Sequence, residues 1–454
     1  MSAYVFNAMD RNIVSIIGQA IKVDLKLTDA ELGLLGGTAF AALYAFGGIP
    51  VARLAERFNR VNILTLSLAL WSGLTALAGL AGSFAQLLCI RLGVGVAESG
   101  CSPPAYSLIS DYFEPRRRAS AFSIYTCAIS IGYLLAAVAG GYTVQRMGWR
   151  AACVLVGLPG IAMAILIRAL VREPPRGHSD APTDIATTAP PPSFSLRGEW
   201  SELSAVGRAL LLDPPIRNMV LGVTISGFAS YGLYAFVPPY FTRAFGLDYA
   251  TVGVIAGLTG GVAVGIGIAL GGFLADFLAA RGARWYALVP GVGVALSAPV
   301  YVIALLAPEW RTAAVALGVA GFFQYVSLGP TFGVVQNAVP ARRRATAAAF
   351  LYICLSVIAL GGGPLFVGWT IDRFAEHEFR DASARSYALA CPGGHAAPGV
   401  ALANGTCEAT LNVATRRGIL LVVLLYGWAA VHYFRAGSGM DARVRASSVQ
   451  SAST

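Results

Sequence analysis

Three ionisable residues stand inside long apolar stretches of the first hundred residues: Asp10, Arg91 and Glu98, with Arg11 beside Asp10. Arg91 and Glu98 share the run RLGVGVAESGCSPPAYSLISDY and lie seven residues apart, about two helical turns on one face. A charge at the centre of a bilayer costs on the order of 3 kcal/mol on insertion scales, so two on one face call for a polar interior that pairs them. The chemistry open to such groups is proton binding. A buried carboxyl favours its neutral form, and an arginine beside it restores the charge. Arg91 shared between Asp10 and Glu98 would exchange which of them holds a proton and so tie protonation to helix position. A static buried ion pair and plain neutralisation of a substrate's charge are the other two readings. Adjacent helical residues point about 100° apart, so Asp10 and Arg11 cannot both face Arg91. Arg11 is left to an anionic headgroup or to pairing with another helix.

The elements that must position these residues are membrane spans. Of 454 residues 56% are hydrophobic and only 12% charged, with a mean hydropathy of +0.65, against about 25% charged in soluble domains. The chain reads as an all-α integral membrane protein. Apolar runs of spanning length fall at approximately 2–21, 32–55, 61–81, 85–110, 119–142, 150–171, 216–240, 250–276, 286–307, 312–336, 346–370 and 416–436. The first begins at the first residues, so the N-terminal tail is either minimal or cut short. Counted inward from the outer span ends, Asp10 lies roughly 15 Å deep, Glu98 roughly 20 Å and Arg91 roughly 9 Å. Thr28 and Glu31 form a capping box that starts span two.

The net charge of +10 comes in short arginine clusters between the runs, which excludes a nucleic-acid surface and fits the positive-inside pattern. Arginines follow spans two, four, six, eight, ten and twelve, which places both termini in the cytoplasm. The only lysines are Lys22 and Lys26; neither follows a phosphate loop and neither is expected deep in a span. His178, His377, His395 and His432 sit in loops or at a span end, so no intramembrane metal site and no cofactor are expected. With no buried His/Asp or Ser/His pair, a membrane-embedded lipid-modifying enzyme is the weaker class of function. Of seven cysteines, Cys391 and Cys407 share one polar loop, where a disulfide is possible if the loop faces an oxidising compartment.

Residues 172–215 are the only long cytoplasmic break: a Pro/Thr/Asp-rich stretch, then a short amphipathic segment suited to the membrane surface. The expected organisation is a half over 1–171, this linker, a half over 216–436 and a tail over 437–454. The sequence repeats across the linker. Pro104 and Arg116–Ala121 recur at Pro330 and Arg342–Ala347, an offset of 226, and Leu54–Glu56 recurs as Leu274–Asp276, an offset of 220. Two six-span halves repeated in parallel form a known transporter architecture, with the substrate site between them.

At this level the chain resembles the Major Facilitator Superfamily. The loop motif after span two, roughly GxLADRxGRR, stands here as Ala52–Arg60, and its second copy as Gly272–Asp276. Within the superfamily it resembles the Spinster family, through Asn7-Ala8-Met9-Asp10-Arg11, the run Arg91–Ser99, Asp111-Tyr112-Phe113 and Arg172–Gly177. The resemblance implies twelve spans in two six-helix halves and a proton-linked secondary carrier in a bacterial inner membrane. It implies an amphipathic or lipid-like substrate, such as a lysophospholipid or sphingoid compound; organic anions, sugar acids or drugs are the alternative. Protons, the substrate and membrane lipids are the expected partners, and a monomer the expected unit. The same pattern makes Glu56 with Arg57, and Asp276, a cytoplasmic latch: Glu56 toward Arg342 and Arg343, Asp276 toward Arg116 and Arg117. Ordinary positive-inside charge is the plainer reading of these residues. Spans one, four, seven and ten face the centre in this fold, so Asn7, Arg11, Ser226, Tyr231, Gln324 and Tyr325, with Tyr133 and Tyr352 on neighbouring spans, are candidates for the cavity wall. Gly253, Gly257, Gly261 and Gly265, four apart along span eight, allow close helix approach.

Overall fold

Every long apolar run folds as a helix, the conformation that satisfies each backbone N–H and C=O without water. A computed structural model describes residues 1–175, 178, 196–340, 343–379, 386–398, 400 and 405–452. Among the described residues there is no strand. The long helices are α1 (Ser2–Leu25), α2 (29–57), α3 (Arg60–Ala78), α4 (Phe84–Tyr112), α5 (115–147), α6 (149–170), α7 (Pro214–Phe245), α8 (Tyr249–Ala279), α9 (Trp285–Leu306), α10 (Trp310–Asn337), α11 (344–378) and α12 (Thr406–Ala452). α5 and α6 form one helical stretch interrupted at Gly148, whose φ of 82° is open to glycine and costly for other residues. Among the described residues, nine stretches are long and apolar enough to cross a membrane, with α5 and α6 counted together.

Local chemistry sets the ends. α1 runs four residues past its expected end at 21 and stops where Lys26 turns left-handed at φ 55°, its N–H bonded to the Lys22 carbonyl. Lys22 therefore lies in the last turn of α1, buried, where Asp29 neutralises it at 2.7 Å. α2 starts on the expected capping box: the Thr28 side chain accepts from Glu31 N–H, and the Glu31 carboxylate accepts from Thr28 N–H. Among the described residues three helices carry π-helical turns, α2 at Leu34–Thr38, α8 at Gly257–Ala263 and α11 at Cys354–Leu360.

The chain divides into two compact units that do not follow chain order. The first comprises Met1–Pro192, Tyr234–Gly261 and Pro364–Thr415; the second comprises Ser193–Leu233, Val262–Gly363 and Arg416–Thr454. The core of the first unit gathers Ile13, Ile17, Ile21, Leu87, Trp149 and Val156. Its α5 and α8 touch backbone to backbone: a Cβ on Gly253 would lie 2.3 Å from the Ala137 carbonyl oxygen. In the second unit Tyr301 stacks on Tyr426 at 5.2 Å, and Tyr426 and Tyr433 hydroxyls meet those of Ser230 and Thr331 at 3.0 and 3.1 Å. The linker ends in a helix, Leu196–Leu212, that buries Val206 and Leu210 and leaves Trp200, Leu211 and Leu212 exposed. It lies against α11, where Gly207 meets the Phe350 ring.

Candidate functional site

α1, α3 and α4 bring the expected charges together inside the first unit. Asp10 is buried and takes an Arg91 Nη1 donor at 3.3 Å and the Thr75 hydroxyl. One residue along α1, Arg11 turns to a different face and donates to Glu98 Oε2 at 3.3 Å and to Asn7 Oδ1 at 3.2 Å. Asn7 Nδ2 donates to the same Glu98 oxygen at 2.9 Å. The Arg11 guanidinium lies over the Tyr44 and Phe40 rings, 4.6 and 4.9 Å from their centroids, and Arg91 lies over Phe40 at 5.6 Å. Glu98 has no exposed surface; the Arg11 side chain keeps 25% of its own.

In this structure Arg91 holds Asp10, and Glu98 is held by Arg11 and Asn7. The roughly 100° between successive α1 side chains sends the acid to Arg91 and the base to Glu98, two turns further along the same face of α4. The site remains incompletely satisfied. Arg11 Nε, Arg91 Nε and Nη2, and Glu98 Oε1 are buried with no hydrogen-bond partner. Beside Thr75 and Arg91 lies a cavity of about 20 Å³, otherwise lined by apolar residues such as Ile17, Leu87 and Val94. That is room for about one water.

The proposed cavity-wall residues are placed in both units. Tyr133 is buried, its hydroxyl without a hydrogen-bond partner and its ring against Gly260. Ser226 is buried and bonds the Val223 carbonyl at 3.3 Å; Gln324 is buried with Oε1 unpartnered. Tyr325 is half-buried, Tyr231 is 37% exposed, and Tyr352 is 52% exposed with its ring against Phe332. Of the latch residues, Arg57 and Arg117 are exposed, and Asp276 accepts from the Tyr286 hydroxyl at 3.0 Å. Arg343 lies 3.6 Å from Glu202 of the linker helix. The side chains of Glu56 and Arg116, and Arg342 as a whole, lie outside the described residues. Cys391 and Cys407 are bonded, with Cα atoms 5.7 Å apart.

A second buried charge network lies near the other end of α1, and sequence reasoning missed it. Asp29 takes Lys22 Nζ at 2.7 Å and Arg243 Nη2 at 2.6 Å. Arg243 also donates to Gln19 Oε1 and Thr415 Oγ1, each at 2.8 Å. The Asp372 carboxylate takes the Asp29 and Ala30 N–H groups at 2.9 and 2.7 Å, capping α2 from α11. The capping box and the arginine that ends α7 were the signals available; nothing local joins them to Asp372.

Among the described residues the fold is a set of long apolar helices with paired charges buried among them. The profile of the Major Facilitator Superfamily matches residues 1–364, and the chain belongs to that superfamily as a multi-pass integral membrane transporter. Within it, the chain resembles the Spinster branch. A crystal structure of a bacterial homologue of the human lysosomal transporter Spinster, inward-facing and unoccupied, is similar at a TM-score of 0.84 and 31% identity, covering 96% of this chain and 95% of that one. An MFS-type efflux pump of Mycolicibacterium smegmatis is 30% identical over 84% of this chain and 85% of the pump. A probable L-galactonate transporter of Escherichia coli is 25% identical over 83% of this chain and 82% of its own.

Proposed function

We propose that this chain is a proton-coupled carrier working by alternating access, with Asp10 and Glu98 as the proton acceptors. The observation that carries the reading is the pair of adjoining acid–arginine contacts, Asp10–Arg91 and Glu98–Arg11, buried in one apolar setting with four polar atoms unsatisfied. A proton on Glu98 cancels its charge and releases Arg11, a cation already stacked on two aromatic rings and partly accessible. The freed guanidinium is then a receptor for an anionic group, so proton uptake and ligand binding draw on one side chain. The arginine-rich loops set both termini in the cytoplasm, of a bacterial inner membrane by the resemblance.

We infer the substrate class from the Spinster likeness: an amphipathic or lipid-like molecule, a lysophospholipid or sphingoid compound. Organic anions, sugar acids and drugs are the second reading, supported by the relatives named as an L-galactonate transporter and an efflux pump. In proteoliposomes loaded with substrate, a pH gradient should drive flux, and Glu98→Gln or Asp10→Asn should uncouple it. Unchanged pH-driven flux in both variants sinks the coupling. A thermal-shift panel of lysolipids, sphingoid lipids, sugar acids and drugs identifies the substrate class, since a ligand that prefers the native state raises its apparent stability.

A further inference from the structure

We propose that Lys22, Asp29, Arg243 and Asp372 form the outer gate of the carrier, closed in this structure and broken in each transport cycle; this rests on the alternating-access reading above. The four residues come from parts of the chain far apart in sequence, the first two before residue 30 and the last two after 240. In space they form one compact buried cluster inside the first unit. Two cations meet two carboxylates, so the cluster is neutral as a whole.

Its satisfaction is complete. All three Arg243 guanidinium nitrogens have acceptors on different helices: Gln19 of α1, Asp29 of α2 and Thr415 of α12. Asp372 supplies what the start of α2 lacks. The first N–H groups of a helix have no intrahelical acceptor and carry its positive dipole end, and a carboxylate placed there meets both needs. That cap comes from a helix about 340 residues away. Backbone contact reinforces it: a Cβ on Gly368 would lie 2.0 Å from the Asp29 carbonyl oxygen, and one on Gly33 would lie 2.2 Å from that of Pro364. The disulfide-closed segment is seated on the same place, with Gly393 in the left-handed region against the Lys22 carbonyl and Lys26 Cα.

A contact set of this kind suits a gate because it is strong and severable. Its bonds run between helix ends, not within helices, so separating the ends of α1 and α2 from those of α7, α11 and α12 breaks the Arg243 bonds to Asp29 and Gln19 and the Asp372 cap, while Lys22–Asp29, Arg243–Thr415 and each helix stay intact. Once apart, Asp29, Arg243 and Asp372 lie where water replaces their lost partners. An apolar seal would instead expose its contact surface to water on opening, at about 25 cal/mol per Å².

Hydrogen exchange read by mass spectrometry on the full chain in nanodiscs tests this without substrate, proton gradient or assigned orientation. Arg243→Gln and Asp372→Asn should speed exchange by about tenfold or more in peptides covering 17–33, 238–246 and 366–376. In the same variants, exchange should slow at the opposite helix ends, around 54–62 and 272–286, as that side closes. A residue with only a structural role would loosen its surroundings without protecting distant ends. Should Arg243→Gln not fold, Arg243→Lys replaces it, keeping the charge but not the fork that joins three helices. Unchanged exchange, or loosening with no protection at the far ends, overturns the gate. Neither result bears on whether Glu98 couples protons, which the flux assay decides separately.

Discussion

Two buried clusters hold the same formal charges, two arginines or lysines against two carboxylates, and treat them in opposite ways. Around Asp10 and Glu98, four polar atoms are left without partners and one guanidinium keeps a quarter of its surface. Around Asp29, every guanidinium nitrogen is bonded, and the second carboxylate caps a helix. The first cluster joins α1, α3 and α4, with the Phe40 and Tyr44 rings of α2, all neighbours within the first hundred residues. The second ties α1 and α2 to α7, α11 and α12. An unsatisfied polar atom in low dielectric is expensive, and that expense makes a change of protonation or ligand worth something at the first site. A satisfied network resists change until geometry removes several partners together. One cluster is built to respond, the other to hold.

The largest way to break this contrast is at the responsive site. Glu98→Gln keeps the shape and the bond from Asn7 but holds no exchangeable proton, and pH-driven flux in proteoliposomes should fall to background. Next comes stability. Arg243→Gln leaves a buried acid with a single cation and should lower the unfolding free energy by about 3–5 kcal/mol, measured by denaturant titration in detergent. Arg11→Gln should cost less than half as much, because its side chain is 25% exposed; equal costs would erase the distinction between the clusters. Replacing Cys391 and Cys407 by serine opens a loop with a separation of 16 residues and should cost about 3 kcal/mol, seen as a lowered melting temperature that reductant imposes equally on the parent.

The smallest effect lies outside both clusters, at the cap of α8. Asp248 takes the Thr251 backbone N–H, which holds its carboxyl below the usual aspartate range. Asp248→Ala should cost about 1 kcal/mol near neutral pH. Because the folded state binds this proton more weakly than the unfolded chain, the contribution is present above the ordinary aspartate value. It is lost as pH falls through the lower folded one. Melting curves of parent and variant should therefore converge in acid.

The helices, the buried charges and the superfamily were legible in the sequence, because an acid or arginine in an apolar run admits few explanations. Which charge meets which was not. Arg91 and Glu98 share a face of α4, so pairing depends on how α1 is rotated against it, and Arg11, left between a headgroup and another helix, faces Glu98. The Asp29 network was hidden for another reason. Lys22, Asp29, Arg243 and Asp372 sit near span ends, where charge reads as solvated, and only the assembled fold puts Asp372 on the first turn of α2. Aromatic character was no guide to direction either: Tyr133 is buried, whereas Tyr352 is half exposed.

The π-helical turns in α2, α8 and α11 carry a mechanical consequence. Such a turn holds one residue more than an α-helical turn, and winding it back to α geometry rotates everything beyond it by about 100° while keeping the backbone hydrogen-bonded. In α8 the turn at Gly257–Ala263 straddles the boundary between the two units, and in α11 the turn at Cys354–Leu360 ends three residues before it. These helices hold a store of slack in the form of torsion. Their two ends can be re-aimed by twisting one against the other, a degree of freedom that tilting whole halves as rigid bodies does not supply.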